Sequence, residues 1–335
     1  MGYINLMEVT PNKVSRDYSG YPVVFLGQTG DGKTDSINRF LTSVAPKGKV
    51  PLFIALEDAT MIVPNIMAVR VHDVSELLQV YGQLKNPALK EKFSCVVIDT
   101  ADKFEQMNKS YIQSKKEVDI IEDIGFSKGR KYLKSASGII NDIRNLGYPV
   151  HFTAQLYKTV DFNTNKEIYK TKLDEATTQQ MFHDAFLVGC VTLDTKAKNP
   201  MTSDRLITFR KTDAYPDLKD KFGLPNVMKV ADLKKELDKV FGDRFTTDEL
   251  KDESLITEIK QEKTFEEIVK EGVEYGSLLA SNGHLDEATH VLKTEIGQTE
   301  DGTALTFSDL NPSQIEIAKV VKYKLSELVT KYNLK

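Results

Sequence analysis

The chain has 335 residues, of which 40% are hydrophobic and 28% charged, with a formal net charge of −4. That length suits one α/β domain with an appendage, and the apolar share supports a sizeable core. The charge excludes a protein that coats DNA with its whole surface, although local basic loops could still bind nucleic acid, because a footprint depends on where charge is placed.

Residues 1–20 are polar and read as extended. The apolar run Tyr21-Pro-Val-Val-Phe-Leu26 reads as the first strand. Gly27, Gln28, Thr29, Gly30, Asp31, Gly32, Lys33 and Thr34 follow and fit GxxxxGK[ST], the loop whose backbone N–H groups wrap nucleotide phosphates. A helix is expected from Thr34 to about Ser43. Strands follow at 50–56, ending on Glu57 and Asp58, and at 65–71. A helix is expected over 74–84, then a strand at 93–98 that ends on Asp99. Residues 101–145 are mostly helical, and a strand at 149–154 leads to Gln155. This alternation predicts a mainly parallel sheet with helices on both faces.

Beyond 155 the composition changes. Residues 156–180 are rich in Lys and Thr, and 185–193 and 205–209 read as an antiparallel pair. Helices are expected at about 230–240, 247–258, 263–282 and 311–333, with a turn at 298–302. The division is therefore a P-loop core over 1–228 and a mainly helical extension over 229–335. Cys95 and Cys190 lie inside apolar runs without metal-ligand spacing and read as buried free thiols of a reducing, cytoplasmic compartment. The N-terminus shows no apolar signal segment. No stretch approaches the roughly 20 residues that span a bilayer, so no membrane partner is expected.

The chemistry concentrates at strand ends. Lys33 is expected to reach the β and γ phosphates of ATP, and the Thr34 hydroxyl to ligate Mg²⁺. Asp99 ends a strand that faces the ligand crevice of an open α/β sheet, which suits contact with Mg²⁺. Asp99 is followed by Thr100 rather than Glu, so the base that activates water must come from elsewhere. Glu57 is the candidate, with Asp58 as its rival. Gln155 is placed to sense the γ phosphate. His151, inside the same apolar run, reads as a satisfied core histidine. Arg205, Arg210 and Lys211 flank the strand Leu206–Phe209; Arg210 and Lys211 are candidates for the extra positive charge that phosphoryl transfer needs, in cis or from a neighbouring subunit. Basic stretches with interleaved aromatics at 103–116, 125–134 and 158–172 are candidate single-strand contacts. Of these, 156–172 is favoured because it follows Gln155.

The segments GQTGDGKT at 27–34, IALED at 54–58, VVIDT at 96–100, HFTAQ at 151–155 and ITFRKTD at 207–213 together resemble the RecA-like core of phage-encoded nucleotide-binding proteins. That AAA-type group includes phage single-strand annealing ATPases, and the likeness covers roughly 18–230. The resemblance implies that Lys33 and Thr34 hold ATP and Mg²⁺, that Asp99 is the Walker B aspartate and that Glu57 is the catalytic glutamate. It also implies that Gln155 couples nucleotide state to DNA-binding loops, and that Arg210 and Lys211 lie near the strand that offers basic fingers to the next subunit. Such proteins form rings or filaments on single-stranded DNA and work beside a single-stranded DNA-binding protein. Asp35 departs from the pattern, since a second small hydroxyl residue is common there. The alternatives are a replicative helicase or helicase loader, or a nucleotide-gated interaction protein with slow turnover. A small-molecule kinase would need an arginine-rich lid, and no compact segment supplies one.

Overall fold

The computed structural model describes residues 11, 13–161, 164–197, 199, 204–251 and 263–334. Its central sheet holds nine strands: Val23–Gly27 (β1), Val50–Ala55 (β2), Met67–Arg70 (β3), Phe93–Asp99 (β4), Val150–Gln155 (β5), Leu187–Thr192 (β6), Leu206–Thr208 (β7), Lys219–Asp220 (β8) and Met228–Lys229 (β9). The spatial order is β9-β7-β6-β1-β5-β4-β2-β3, with β8 also paired to β6. Strands β3, β2, β4, β5, β1 and β6 are mutually parallel, and β7, β8 and β9 close one end in antiparallel register. The expected α/β architecture, with a mainly parallel sheet and a helical C-terminal part, is present.

The continuous apolar runs follow from cover on both faces, since successive strand residues point to opposite sides. Val24, Leu26, Ile54, Ile98, Phe152 and Cys190 pack on one side, against Leu77, Phe104 and Ile140 of helices Val74–Leu84, Ala101–Lys116 and Ile139–Asn145. Val23, Phe25, Phe53, Cys95, Val97 and Val191 pack on the other, against helix Lys33–Val44 (α1) and helix Leu233–Arg244. In α1, Ile37, Phe40, Leu41 and Val44 recur at helical spacing and form its buried stripe. Both cysteines are free and buried, and desolvation pushes each thiol up to about 12.

His151 lies in the sheet interior. Its Nδ1 accepts from the Val23 N–H at 3.1 Å, and its Nε2 lies 3.0 Å from the Ser19 carbonyl oxygen, which makes Nε2 the protonated nitrogen. Burial lowers its pKa from 6.5 to about 3. Between those values the unfolded chain binds one proton more than the folded one, so stability rises with pH. The contribution is complete above about pH 6.5 and is lost as pH falls toward 3. Denaturant unfolding at a series of pH values should show this loss, and His151→Gln should flatten it; an unchanged slope in the variant would assign the pH dependence to other groups.

The chain divides into two compact units, residues 1–259 and 260–335. The division expected near 228 thus falls further along, for a packing reason. Leu233, Leu237, Phe241 and Leu250 join the first unit's core, and the Tyr18 hydroxyl donates to Asp238 Oδ1 at 2.9 Å. Leu250–Lys251 also pairs in parallel with Val14–Ser15. The helix expected at 247–258 is a 3₁₀ turn, Thr247–Glu249, followed by that short strand; residues 252–258 lie outside the described residues. The second unit comprises helices Phe265–Ser281, Leu285–Glu295 and Ile315–Lys331 around Ile268, Leu279, Phe307, Val321 and Leu325. The middle helix was not among the sequence expectations.

Candidate nucleotide site

Strand β1 ends on Gly27, and residues 28–32 turn the chain into α1. Two close approaches demand glycine. A Cβ on Gly27 would lie 2.9 Å from the Val191 carbonyl oxygen, and one on Gly32, whose φ is +80°, would lie 2.8 Å from Arg205 Nε. The first N–H groups of α1 lack intrahelical partners and point along the helix dipole, so the loop forms an anion seat. The Asp31 carboxylate accepts from the Gln28 N–H at 2.7 Å, and Arg205 Nε donates to the Asp31 carbonyl at 2.9 Å. Lys33 Nζ donates to the Gln28 carbonyl at 3.0 Å. Burial lowers the Lys33 pKa, and the carboxylates of Glu57, Asp31, Asp99 and Asp102 oppose that fall.

Asp99 is 1% exposed at the end of β4. The Thr34 hydroxyl approaches its two carboxylate oxygens at 3.1 and 3.0 Å, and the hydroxyls of Thr60 and Thr153 also donate to it. Thr34 and Asp99 thus present adjacent hard oxygen atoms. Among the described residues no group of three or more His, Cys, Asp or Glu could hold a metal. This donor set fits Mg²⁺, which is bound through one or two protein oxygens together with phosphates and waters rather than in an all-protein cage.

Glu57 follows β2, and Thr100 Oγ1 donates to its Oε1 at 3.0 Å. Thr100 is also the N-cap of helix Ala101–Lys116, so one side chain ties the carboxylate to that helix. The Gln155 side-chain amide donates to the Thr29 hydroxyl at 2.6 Å, and its backbone N–H donates to Asp102 at 2.7 Å. Burial raises the Asp102 pKa. Gly30, Lys33, Thr34, Glu57, Thr100 and Gln155 line one cleft of about 390 Å³. Asp35, also on its rim, pairs with Arg39 at 2.9 Å, which balances its charge.

Arg210 and Lys211 are exposed and do not line this cleft. The direction of β7 explains their position. It runs antiparallel to β6, so its N-terminal end faces the loop and its C-terminal end leads away. Arg205, at the near end, is the basic residue that touches the loop. Thr60, Thr153 and Asp102 also belong to the site and were not singled out from sequence. A hydroxyl within the apolar run Val150–Ala154 was the available signal for Thr153; Thr60 gave none.

The seat on α1 and the strand-end carboxylate on β4, with β5 between them, define a P-loop nucleotide-binding α/β protein. Within that class the chain belongs to the AAA domain family, whose AAA_24 model matches residues 19–217. Among solved structures, a DnaB-like replicative helicase, determined with its interactions with primase, is similar at 12% identity and a TM-score of 0.37; the match covers 67% of this chain and 61% of that one. No curated protein matches in sequence. Among the described residues no helix is long and apolar enough to cross a membrane.

Proposed function

We propose that the chain is a Mg²⁺-dependent ATPase that binds single-stranded DNA and supports phage DNA recombination or strand annealing. The observation that carries the ATPase reading is the convergence of the loop, Thr34, Glu57 and Gln155 on one cleft, with the buried Asp99 carboxylate directly behind the Thr34 hydroxyl. Bound Mg²⁺ would neutralise charge on the phosphates, with Thr34 and Asp99 as its protein ligands. Lys33 supplies a second positive charge to the β and γ phosphates. Glu57, oriented by Thr100, accepts a proton from the attacking water. Gln155 contacts the loop through Thr29 and accepts from the Tyr157 hydroxyl at 3.2 Å, which links the γ-phosphate end to the segment that follows. In this reading the protein acts as a homo-oligomeric ring or filament beside a single-stranded DNA-binding protein, and exposed Arg210 and Lys211 serve a neighbouring subunit's site.

The test is ATP turnover with and without single-stranded DNA. A several-fold stimulation is expected. Equal rates would remove the DNA half of the proposal and leave the ATPase; no turnover in either condition would remove both.

A further inference from the structure

The aromatic and basic side chains of the first unit differ in what they already hold. In the hairpin Tyr157–Val160 and Glu167–Lys170, Lys158 pairs with Glu167 at 2.7 Å and Lys166 with Asp213 at 3.6 Å. Tyr169 is stacked on Tyr215 with centroids 4.9 Å apart, and Lys172 covers the Tyr157 ring at 4.2 Å. Phe162 lies outside the described residues. The segment that sequence favours for DNA has thus engaged Lys158 and Lys166 with carboxylates and Tyr169 with a second ring.

At the helices Ala101–Lys116 and Phe126–Ala136, Lys115 and Lys116 lie beside tyrosine rings rather than carboxylates. Tyr111 is 44% exposed and Tyr132 38% exposed. Lys115 Nζ lies 5.7 Å from the Tyr111 ring and Lys116 Nζ 4.4 Å from the Tyr132 ring. Lys128 precedes Tyr132 by four residues in helix Phe126–Ala136 and so shares its face, and a hydrogen bond with Lys116, then the charges of Lys116, Lys128 and Lys115, hold the Tyr132 hydroxyl below its ordinary pKa. The turn after Lys116 carries Glu117, Asp119, Glu122 and Asp123, and among the described residues none of them pairs with these three lysines. A groove of about 860 Å³ between helix Ala101–Lys116 and helix Val74–Leu84 is lined by Tyr111, Lys103, Leu78 and Asp73, and also by Leu56, the chain neighbour of Glu57.

We infer that single-stranded DNA follows the helix Ala101–Lys116, with its phosphates on Lys115, Lys116 and Lys128, its bases on Tyr111 and Tyr132, and its path continuing into the groove toward Leu56. Lysines without a carboxylate partner beside exposed rings match the two needs of a single strand, phosphate neutralisation and a face on which bases stack. A folded acidic partner would use the charges but not the stacking faces. The placement also offers a route for stimulation: Thr100 caps the helix that the strand loads and holds Glu57 at the other end of its hydrogen bond. The inference rests on the single-strand reading above.

Fluorescence anisotropy with labelled oligo(dT) tests it, using wild type, Tyr111→Ala/Tyr132→Ala, Lys115→Ala/Lys116→Ala and, as a control, the hairpin pair Lys158→Ala/Lys166→Ala. The tyrosine pair should weaken binding at least about tenfold. The Lys115/Lys116 pair should reduce the slope of log K against log salt by about 1.4. ATP affinity and the circular dichroism melt should stay at wild-type values, and the hairpin pair should bind as wild type does. Loss of binding in the hairpin pair, with the tyrosine pair unaffected, overturns the path while the single-strand reading stands. Failure of wild type to bind oligo(dT) overturns that reading as well.

Discussion

Lys33→Ala is expected to lower ATP affinity by at least about a hundredfold and to bring hydrolysis to background. The reason is electrostatic. Glu57, Asp31, Asp99 and Asp102 all act on the Lys33 ammonium, which burial already disfavours. The cleft is therefore a negative site made receptive to phosphate by one desolvated cation and the α1 N-terminus. Removing that cation leaves carboxylates facing an incoming triphosphate, and in a partly desolvated site their repulsion is poorly screened. Titration with a fluorescent ATP analogue and a phosphate-release assay measure the two effects. The folded state should survive, since Lys33 Nζ makes its hydrogen bond to a loop carbonyl at the surface rather than to the core. ATP binding retained at wild-type strength in the variant would mean that the phosphates lie elsewhere.

The parts of this site that were legible in sequence are those carried by strand ends. The run Gly27–Thr34, Glu57, Asp99 and Gln155 each terminate an apolar segment, and a parallel sheet brings such ends to one edge, so the chemistry could be placed before the strand order was known. Relations across the sheet were not legible. Three hydroxyls converge on Asp99 from α1, from the 3₁₀ turn after Glu57 and from β5, a result of register rather than of spacing along the chain. Around β7 the strand direction was not legible, because flanking position alone does not say which end meets the loop of the same chain. Arg205 does, and Arg210 and Lys211 do not.

Composition was a weaker guide than partnering in two further places. The Lys- and Thr-rich stretch after Gln155 reads as a basic surface segment, yet it folds as a hairpin in which Lys158 and Lys166 find carboxylates. Residues 229–251 looked like the start of a separate helical part, because apolar spacing shows that a helix has a buried face without naming what covers it. Here α1 and the aromatic group of Tyr18, Tyr21 and Phe222 cover it, with Phe241 at the centre.

The second large effect concerns the water-activating base. Glu57→Gln should reduce turnover by roughly 10² to 10⁴ while ATP affinity stays near wild type. Glutamine keeps an oxygen for the Thr100 hydroxyl, so the hydrogen bond to the helix cap survives and the change is confined to the ability to take a proton. The split between kcat and binding is what separates a base from a structural cap on β2, since loss of a cap would lower stability and affinity together. Thr100→Val supplies the complementary measurement. It leaves the carboxylate in place, removes the 3.0 Å hydrogen bond that orients it and opens the helix N-cap, so a smaller fall in turnover with a modest loss of stability is expected. Asp58 is the remaining rival, but it pairs with Arg70 and does not line the cleft, so Asp58→Asn should hydrolyse ATP at nearly the wild-type rate. If Asp58→Asn were the inactive variant and Glu57→Gln the active one, the base would have to be reassigned and the turn Asp58–Ile62 would have to rearrange on nucleotide binding.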